Sequence, residues 1–192
     1  MSSYSLEEAG LLPVALLKEY AYCPRYAYLQ LRLGGDYVTP SMRAAGEAGL
    51  PELRPPAGWE LLRNLYVRSR RLGLHGYADA VLRRGSLVRV VEVKALSDVS
   101  RRSLYGRLRH VLAQGVAYAL LAEETLRATA DSVLIVGSGR WVEVRVTPSL
   151  RSYVASLAQR MRRDLEAPKP PPRQASWKCG YCYYRRVCRQ LG

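Results

Sequence analysis

The chain has 192 residues, of which 48% are hydrophobic and 24% charged, so it is long enough for one substantial core. It contains no run of about 18 apolar residues and no signal-like N-terminus, which argues against a membrane-spanning or secreted protein and predicts a cytoplasmic location. A formal net charge of +14 and a pI of about 10.0 favour a polyanionic partner, and nucleic acid is the first expectation.

Helical patterns dominate the start of the chain. Residues 13–33 carry apolar and Tyr positions at helical spacing, with a break at Cys23-Pro24, because proline disfavours helix in the residue before it. This pattern predicts two short helices. Residues 34–58 are rich in Gly and Pro, and within them only residues 41–50 can form a helical turn or two.

Two Val- and Leu-rich segments then predict a hairpin. Residues 74–83 and 87–95 read as strands, and Gly85-Ser86 between them suits a tight type II′ turn. With a two-residue loop, Asp79 is expected directly opposite Glu92, with both side chains on one face.

The second half of the chain repeats this alternation. Residues 103–126 carry apolar positions at helical spacing and predict the longest helix, residues 131–137 and 140–146 predict a second hairpin, and residues 148–165 predict a final amphipathic helix. Residues 168–172 form a stiff proline-rich connection to the tail. The order helix, hairpin, helix, hairpin, helix predicts an α/β fold with a mixed sheet covered by helices.

A metal site is predicted on the first hairpin. Lys94 lies two residues after Glu92, so Asp79, Glu92 and Lys94 share one face. Like charges directly opposite in a hairpin repel unless a cation compensates them. Carboxylate oxygens suit Mg²⁺ or Mn²⁺, which can bridge phosphate oxygens and activate water, while a lysine can orient the nucleophile.

The competing interpretation is a solvated hairpin face, in which Glu92 and Lys94 pair with neighbours and bind no metal. Gln114 and Tyr118 lie four residues apart on the predicted long helix, and this pair also has a functional and a structural interpretation. They can contact a nucleotide or organise the metal site, or they can be an ordinary surface pair.

Four cysteines lie near the two ends of the chain. Cys23 stands alone, whereas Cys179, Cys182 and Cys188 form a C-terminal group, so the tail is expected to return to the N-terminal helices. Four thiolates suit zinc or an iron-sulfur cluster, and the uneven spacing with one remote ligand favours the cluster. Two disulfides are a third alternative, which the reducing cytosol disfavours.

Aromatic and basic residues are interspersed with the C-terminal cysteines. Tyr181, Tyr183 and Tyr184 lie beside Lys178 and several arginines. Such a mixture can stack bases and hold phosphates, or the tyrosines can simply shield a metal centre.

Taken together, Gly76-x-x-Asp79, Glu92-Val93-Lys94 and Gln114-x-x-x-Tyr118 resemble the three successive motifs of RecB-like nucleases of the PD-(D/E)XK superfamily. The resemblance implies Asp79 and Glu92 as metal ligands, the backbone carbonyl of Val93 as a third, and Lys94 as the catalytic lysine. It implies Gln114 and Tyr118 as supporting catalytic residues.

The position of a histidine departs from that family pattern. Such nucleases usually supply one from an N-terminal helix, whereas His75 lies four residues before Asp79 and His110 lies on the long helix. Glu47 can replace the missing histidine as an oxygen ligand or can be a surface residue, and His75 is interpreted as a strand residue beside the site.

Cys23-Pro24-Arg25 and the C-terminal cysteines, flanking a RecB-like core, resemble the CRISPR-associated iron-sulfur exonuclease family called Cas-four. The resemblance implies exonuclease action on single-stranded DNA ends before spacer integration, with CRISPR integrase proteins as partners. The cluster, more commonly 4Fe-4S than 2Fe-2S in this family, is expected to be structural and to bind Cys23, Cys179, Cys182 and Cys188.

A single domain is therefore expected over residues 1–192. Residues 1–58 would form an N-terminal helical segment with the first cluster cysteine, 59–166 the nuclease core, and 167–192 the cluster-binding segment. The alternatives are a non-catalytic DNA-binding or redox-sensing module with a cysteine-bound metal centre, and a zinc-stabilised nucleic-acid chaperone.

Overall fold

A mixed sheet of six strands forms the centre of the part of the chain that the structure describes, which comprises residues 10–34, 53–138 and 140–191 of a computed structural model. The strands are β1 (Leu12–Pro13), β2 (Glu60–Ser69), β3 (Leu74–Arg84), β4 (Leu87–Val93), β5 (Thr129–Gly137) and β6 (Arg140–Arg145). The helices are α1 (Val14–Tyr22), α2 (Pro24–Leu33), α3 (Arg101–Tyr105), α4 (Arg109–Leu126), α5 (Pro148–Glu166) and α6 (Arg185–Gln190), with a 3₁₀ turn at Trp177–Tyr181.

The sheet combines parallel and antiparallel pairs. Its order is β1-β3-β4-β5-β6, and β2 also pairs with β3. Strands β2, β3 and β4 form an antiparallel meander, β4 and β5 run parallel, and β5 and β6 are antiparallel. The main core joins this sheet to α1, α2, α4 and α5, while a smaller apolar cluster contains Trp59, Ala80, Leu82 and Val91. The predicted mixed α/β fold is confirmed.

One edge of β3 is shared by two strands. Because β2 pairs with β3 from Leu74 to Arg83, β4 and β1 must lie along the opposite edge. There β4 pairs with β3 from Ala80 onwards, and β1 pairs with it only at Leu74 and His75. Within the described residues, the edge between these two pairings, residues 76–79, is therefore unpaired.

Most predicted elements are confirmed. The two N-terminal helices meet at Cys23, with Pro24 in the first turn of α2. Both hairpins are present, and Gly85 has the positive φ of 59° that a type II′ turn requires. The final helix begins at Pro148 as expected. The short helix predicted within residues 41–50 lies outside the described residues.

The prediction of one continuous helix over residues 103–126 is wrong, because this segment forms two helices. Helix α3 begins two residues earlier, at Arg101, with a capping box between Ser100 and Ser103, and it ends at Tyr105 with Gly106 as its C-cap. The chain then turns so that the Leu108 N–H donates back to the Ser103 carbonyl at 2.8 Å. This turn buries Leu108 in the core before α4 starts.

Strand β2 has no counterpart among the predicted elements. Asn64 interrupts it in the left-handed region, with φ of 48°. Leu62, Leu65 and Val67 all pack on the main core, so the alternation of faces is broken between Leu62 and Leu65. The sequence therefore lacks the regular period of two by which a strand is recognised.

Helix α4 is the central helix of the main core. Every residue from Val111 to Ala122 is buried. Gly115 permits close contact with the sheet, because a Cβ atom there would lie 2.6 Å from Val133 Cγ1 on β5. Its packing against β4 and β5 fixes which helix residues face the sheet. No helix within residues 10–34, 53–138 and 140–191 combines the length and apolarity needed to cross a membrane.

The C-terminal tail returns to the N-terminal helices, as predicted. The Tyr28 hydroxyl donates a hydrogen bond to the Pro168 carbonyl at 3.0 Å, and the Tyr184 hydroxyl donates one to the Gly34 carbonyl at 2.8 Å. Lys178 donates to the Tyr22 carbonyl at 2.9 Å. These side-chain contacts bring the C-terminal cysteines to the junction of α1 and α2.

Candidate active site

Asp79 lies at the unpaired edge of β3. The β3–β4 register has the predicted alignment, but its regular pairs end at Ala80 with Val91, one pair short of Asp79 with Glu92. Instead, Asp79 Oδ2 accepts a hydrogen bond from the backbone N–H of Val93 at 2.8 Å. The carboxylate thus binds the end of β4 at the point where the two strands separate.

Glu92 is a buried carboxylate at the centre of the sheet. Only 1% of the residue is exposed, and its Oε1 lies 2.5 Å from Lys94 Nζ. Its Oε2 is buried with no hydrogen-bond partner among the described residues. Burial raises the pKa of Glu92 and the charge of Asp79 adds to this effect, while Lys94 opposes it. Glu92 therefore has an unsatisfied oxygen in a site that disfavours its charge.

Gln114 and Tyr118 lie on the face of α4 that covers these carboxylates. Burial is the main cause of the raised pKa of Tyr118, and the charges of Glu92 and Asp79 contribute further. The phenol is consequently protonated at neutral pH and can donate. The Gln114 amide group opposes this shift of the Tyr118 pKa as a hydrogen-bond donor to the phenol oxygen, and Gln114 Oε1 is buried without a partner among the described residues.

Gly76 makes room for Tyr118. A Cβ atom at Gly76 would lie 3.0 Å from both the Cε1 atom and the hydroxyl oxygen of Tyr118. The glycine in the Gly76-x-x-Asp79 motif thus allows the phenol to rest against β3, close to Asp79. Two of the three sequence motifs are in this way physically connected.

The histidines occupy different positions around the site. His110 lies one turn before Gln114. Its ring packs edge-on against the Tyr22 ring, with 5.1 Å between the two ring centroids. Burial, with the nearby charges of Lys18, Lys178 and Lys94, lowers the pKa of His110 to about 4, so the imidazole is neutral at pH 7. His75 lies beside Tyr66, with its Nδ1 buried and unpartnered within the described residues. Glu47 lies outside the described residues.

Lys18 was not predicted as part of the site. It projects from α1, and its positive charge acts on both Glu92 and His110. A single lysine on an amphipathic helix carries no sequence signal of function, since such residues are usually solvated. Lys18 reaches the site because β1, which immediately precedes α1, pairs with β3 and because α1 packs against α4.

Asp79 and Glu92 can supply some, but not all, of the ligands that a divalent cation needs. The unpartnered Glu92 Oε2 and the neighbouring Asp79 are hard oxygen donors of the kind that Mg²⁺ and Mn²⁺ prefer. Within the described residues, however, no group of three or more His, Cys, Asp or Glu side chains is arranged to hold a metal ion. Any further ligand must therefore be backbone, water, substrate or a residue outside those described.

The four cysteines gather in the tail region as free, half-buried thiols, so the disulfide alternative is not observed. Cys23, Cys179 and Cys182 line one cavity of about 130 Å³. Burial raises the pKa of Cys182, and the charges of Cys23, Cys188 and Cys179 raise it further. The donor set suits a thiolate-bound metal centre, although no three of these side chains are at ligand positions in the described structure.

Comparison with known proteins identifies the fold and the family. The family model of the PD-(D/E)XK nuclease superfamily matches residues 41–189. CRISPR-associated exonuclease Cas4 of Aeropyrum pernix is 39% identical, over 92% of this chain and 94% of that protein. A Cas4/endonuclease Cas1 fusion of Geobacter sulfurreducens is 28% identical, over 93% of this chain and 34% of the fusion. The crystal structure of SSO0001 is similar in fold, with a TM-score of 0.53 and 16% identity over 97% of this chain and 89% of that one.

The match to the superfamily model over residues 41–189 and the 39% identity over 92% of the chain show that this chain belongs to the PD-(D/E)XK nuclease superfamily. Within that superfamily it belongs to the Cas4 family of CRISPR-associated exonucleases. The family resemblance inferred from the motifs is confirmed. The chain is accordingly a CRISPR-associated nuclease.

Replacing Glu92 with Gln removes the buried charge and keeps the side-chain shape. In metal-free protein at pH 8, we expect Glu92→Gln to be more stable than wild type by about 1–2 kcal/mol. Because the folded-state pKa of Glu92 is raised, its destabilising effect is full above that pKa and disappears as pH falls towards the unfolded value. Urea denaturation with chelator at pH 8 and pH 5 measures the difference.

Glu60→Gln is the matched control, because Glu60 is exposed on β2. Its stability should equal that of wild type at both pH values. A Glu92→Gln protein that is less stable than wild type at pH 8 would instead identify Glu92–Lys94 as a structural ion pair.

Proposed function

We propose that this chain is a Mg²⁺- or Mn²⁺-dependent deoxyribonuclease that degrades single-stranded DNA ends from the Asp79–Glu92–Lys94 site. The observation that carries the proposal is the buried Glu92 Oε2, which has no partner among the described residues and lies beside a second carboxylate. Burying a charge without compensation is costly, and a divalent cation would supply that compensation. Membership of a nuclease superfamily supports phosphodiester hydrolysis as the reaction.

The metal would be held by Asp79, Glu92 and the backbone carbonyl of Val93. When bound, such an ion neutralises phosphate charge and lowers the pKa of a coordinated water. The Val93 N–H already fixes the Asp79 carboxylate at 2.8 Å, so the two ligand positions are rigidly coupled. This hydrogen bond would hold the Asp79 carboxylate and the Val93 backbone in position before metal or DNA binds.

The remaining residues would act on the phosphate and the water. Lys94 is held at Glu92 and supplies a positive charge with three N–H donors beside the reacting group. Tyr118 remains a protonated donor, and its hydrogen bond with Gln114 fixes the phenol over Gly76. We assign Lys94 to charge stabilisation and orientation of the nucleophile, and Gln114 and Tyr118 to supporting roles.

A single-stranded substrate fits the exposed aromatic residues of the tail. Trp177, Tyr181 and Tyr183 are 67%, 84% and 57% exposed. Base stacking on such rings is independent of sequence and is available only to unpaired bases. The net charge of +14 supports binding of the backbone phosphates. Both features favour strand ends over intact duplex.

We further propose that Cys23, Cys179, Cys182 and Cys188 bind an iron-sulfur cluster, most commonly 4Fe-4S in this family. The four free thiols support it, because side-chain contacts hold the tail against α1 and α2. The cluster would join the 1–58 and 167–192 segments around the 59–166 core in a single domain. Its binding free energy would then add to fold stability.

A role in spacer acquisition follows from the family. The Geobacter sulfurreducens relative joins a Cas4 portion to an endonuclease named Cas1 in one polypeptide. Two activities joined in this way commonly act on the same DNA. We infer that this chain trims DNA ends before integration and that CRISPR integrase proteins are its partners, in the cytoplasm.

The nuclease proposal is tested with end-labelled single-stranded DNA. Anaerobically purified wild type should cleave it with Mn²⁺ or Mg²⁺ and not with chelator. Asp79→Asn and Glu92→Ala should reduce the rate by more than about 100-fold, because each removes charge stabilisation worth about 3 kcal/mol at the transition state. A blunt duplex of the same sequence should be cut more slowly.

Glu60→Ala provides the matched control, since it removes an exposed carboxylate from the same sheet. All proteins are compared at equal iron content. If wild type binds the DNA tightly but neither it nor the variants cleave, the chain is a non-catalytic DNA-binding module.

The cluster proposal predicts a coloured protein with bound iron after anaerobic purification. Cys23→Ser and Cys188→Ser, which alter opposite ends of the chain, should each lose visible absorbance and lower the melting temperature. Ser176→Ala, an exposed neighbour of the tail cysteines, should change neither property. Colourless protein containing stoichiometric zinc would overturn the proposal.

A further inference from the structure

The end of β2 and the turn that follows it carry three exposed arginines, Arg68, Arg70 and Arg71, here called the turn arginines. Among the described residues, none of their guanidinium groups has a hydrogen bond or a salt bridge. Exposed arginines are usually solvated, so such a group indicates a binding site only where the fold gives it a defined shape.

Helix α4 fixes the backbone that carries the turn arginines. Glu124 accepts hydrogen bonds from the Ser69 hydroxyl at 2.6 Å and from the Arg70 N–H at 2.7 Å, so both of its oxygens are occupied. The Thr125 hydroxyl accepts from the Arg68 N–H at 2.9 Å and donates to the Arg68 carbonyl at 3.2 Å. These contacts hold the turn in place and leave the arginine side chains available for a ligand.

A cavity of about 1080 Å³ lies between this turn and α5. It is lined by the turn arginines and, from α5, by a fourth arginine, Arg162. Arg162 is held by the carbonyls of Gly10 at 2.9 Å and Gly73 at 3.2 Å, and a Cβ atom at Gly73 would overlap its guanidinium group. The cavity reaches the upper end of the range of about 300–1,000 Å³ that is typical of ligand sites.

The wall of this cavity is strongly positive. It contains four arginines and, within the described residues, no Asp or Glu. Arg162 lies 4.0 Å from the exposed Glu166, and Glu123 of α4 is bound to Arg151. Guanidinium groups around one space repel one another unless an anion lies among them. Because each can bind phosphate through two parallel N–H···O bonds, the cavity suits a phosphodiester backbone.

Aromatic side chains connect the cavity with the proposed metal site. Tyr66 lines the cavity, and its ring centroid lies 5.2 Å from that of Tyr77 on β3. Tyr77 is 59% exposed and precedes Asp79 by two residues, on the edge of β3 that is unpaired within the described residues. Gly73, at the cavity, and Asp79 are separated by about 20 Å along the strand.

The exposed Tyr77 ring favours nucleic acid over an acidic polypeptide as the ligand. A nucleobase can stack on such a ring while its phosphates lie at the arginines, whereas an acidic polypeptide has no base to stack. The unpaired β3 edge also gives a single strand a direct route from the cavity to the carboxylates.

We propose that the turn arginines and Arg162 bind backbone phosphates of single-stranded DNA at a distance from the bond that is cut, with a base stacked on Tyr77. This inference rests on the proposed nuclease function and deepens it, because it assigns a second region of contact with the substrate. None of the described cavity residues belongs to the tail, so this region is separate from the exposed aromatic residues there. The arginines bind DNA and take no part in bond cleavage.

Fluorescence anisotropy of labelled oligothymidine, with chelator and in the Glu92→Gln background, measures DNA binding apart from cleavage. Arg68→Gln with Arg71→Gln should raise Kd at least about 10-fold, since two charge-assisted contacts are lost. The slope of log K against log salt should fall in magnitude by about 1.4, because each single-strand phosphate contact contributes about 0.7. Tyr77→Leu should raise Kd at least about fivefold for oligothymidine and leave the Kd of an abasic strand unchanged.

Arg140→Gln with Arg145→Gln is the matched control, because it removes two exposed arginines from β6 at the opposite edge of the sheet. Its Kd should stay within about twofold of that of the parent, since distant exposed charges are screened by salt. An equal loss in this control would overturn the site. Polyglutamate binding that depends on Arg68 and Arg71, with DNA binding unchanged, would instead assign the cavity to an acidic polypeptide.

Glu7 and Glu8, which precede Gly10 in the sequence, are the alternative counterions. Equal decreases of melting temperature in Glu7→Gln with Glu8→Gln and in the double arginine variant would indicate pairing within the chain and overturn the site. In the cleaving protein with Mn²⁺, the double arginine variant should have a raised KM and a kcat within about threefold of wild type. Absence of cleavage, with the predicted binding losses observed, would reject the nuclease proposal alone.

Discussion

The Glu92 carboxylate is buried beneath α4, and this burial determines the chemistry available to its neighbours. Helix α4 packs against β4 and β5 with almost no exposed residue, so the carboxylate beneath it has little access to water. One of its oxygens pairs with Lys94 and the other has no partner among the described residues. A fold that only needed stability would place an apolar residue there. We propose that the arrangement becomes favourable when a divalent cation joins the two carboxylates.

Separation of β3 from β4 creates the space in which we propose that this cation binds. Asp79 replaces a strand pairing by binding the Val93 N–H, and β1 pairs with this edge of β3 only at Leu74 and His75. Because α1 follows β1 without a loop, the same pairing that closes the edge carries Lys18 to the carboxylates and Cys23 to the tail. The proposed metal site and the cysteine group are thus linked through β1 and α1.

The sequence predicted the parts of the site that follow from local periodicity. Gly85-Ser86 defines the hairpin, which aligns Asp79, Glu92 and Lys94, and a spacing of four places Gln114 beside Tyr118. Irregular backbone was not predictable in this way: Asn64 disrupts the period of β2, and the turn at Gly106 divides what reads as one helix. Lys18 depends on long-range strand pairing, which leaves no pattern in its neighbours.

Anomalous scattering from a crystal of the wild-type protein soaked in Mn²⁺ shows whether a divalent cation occupies the carboxylates. We expect a peak within ligand distance of Glu92 Oε2 and the Asp79 carboxylate, with the same peak absent from Glu92→Gln crystals. Manganese bound elsewhere, with Glu92 contacting only Lys94 in a protein whose DNA cleavage requires Mn²⁺, would contradict this expectation.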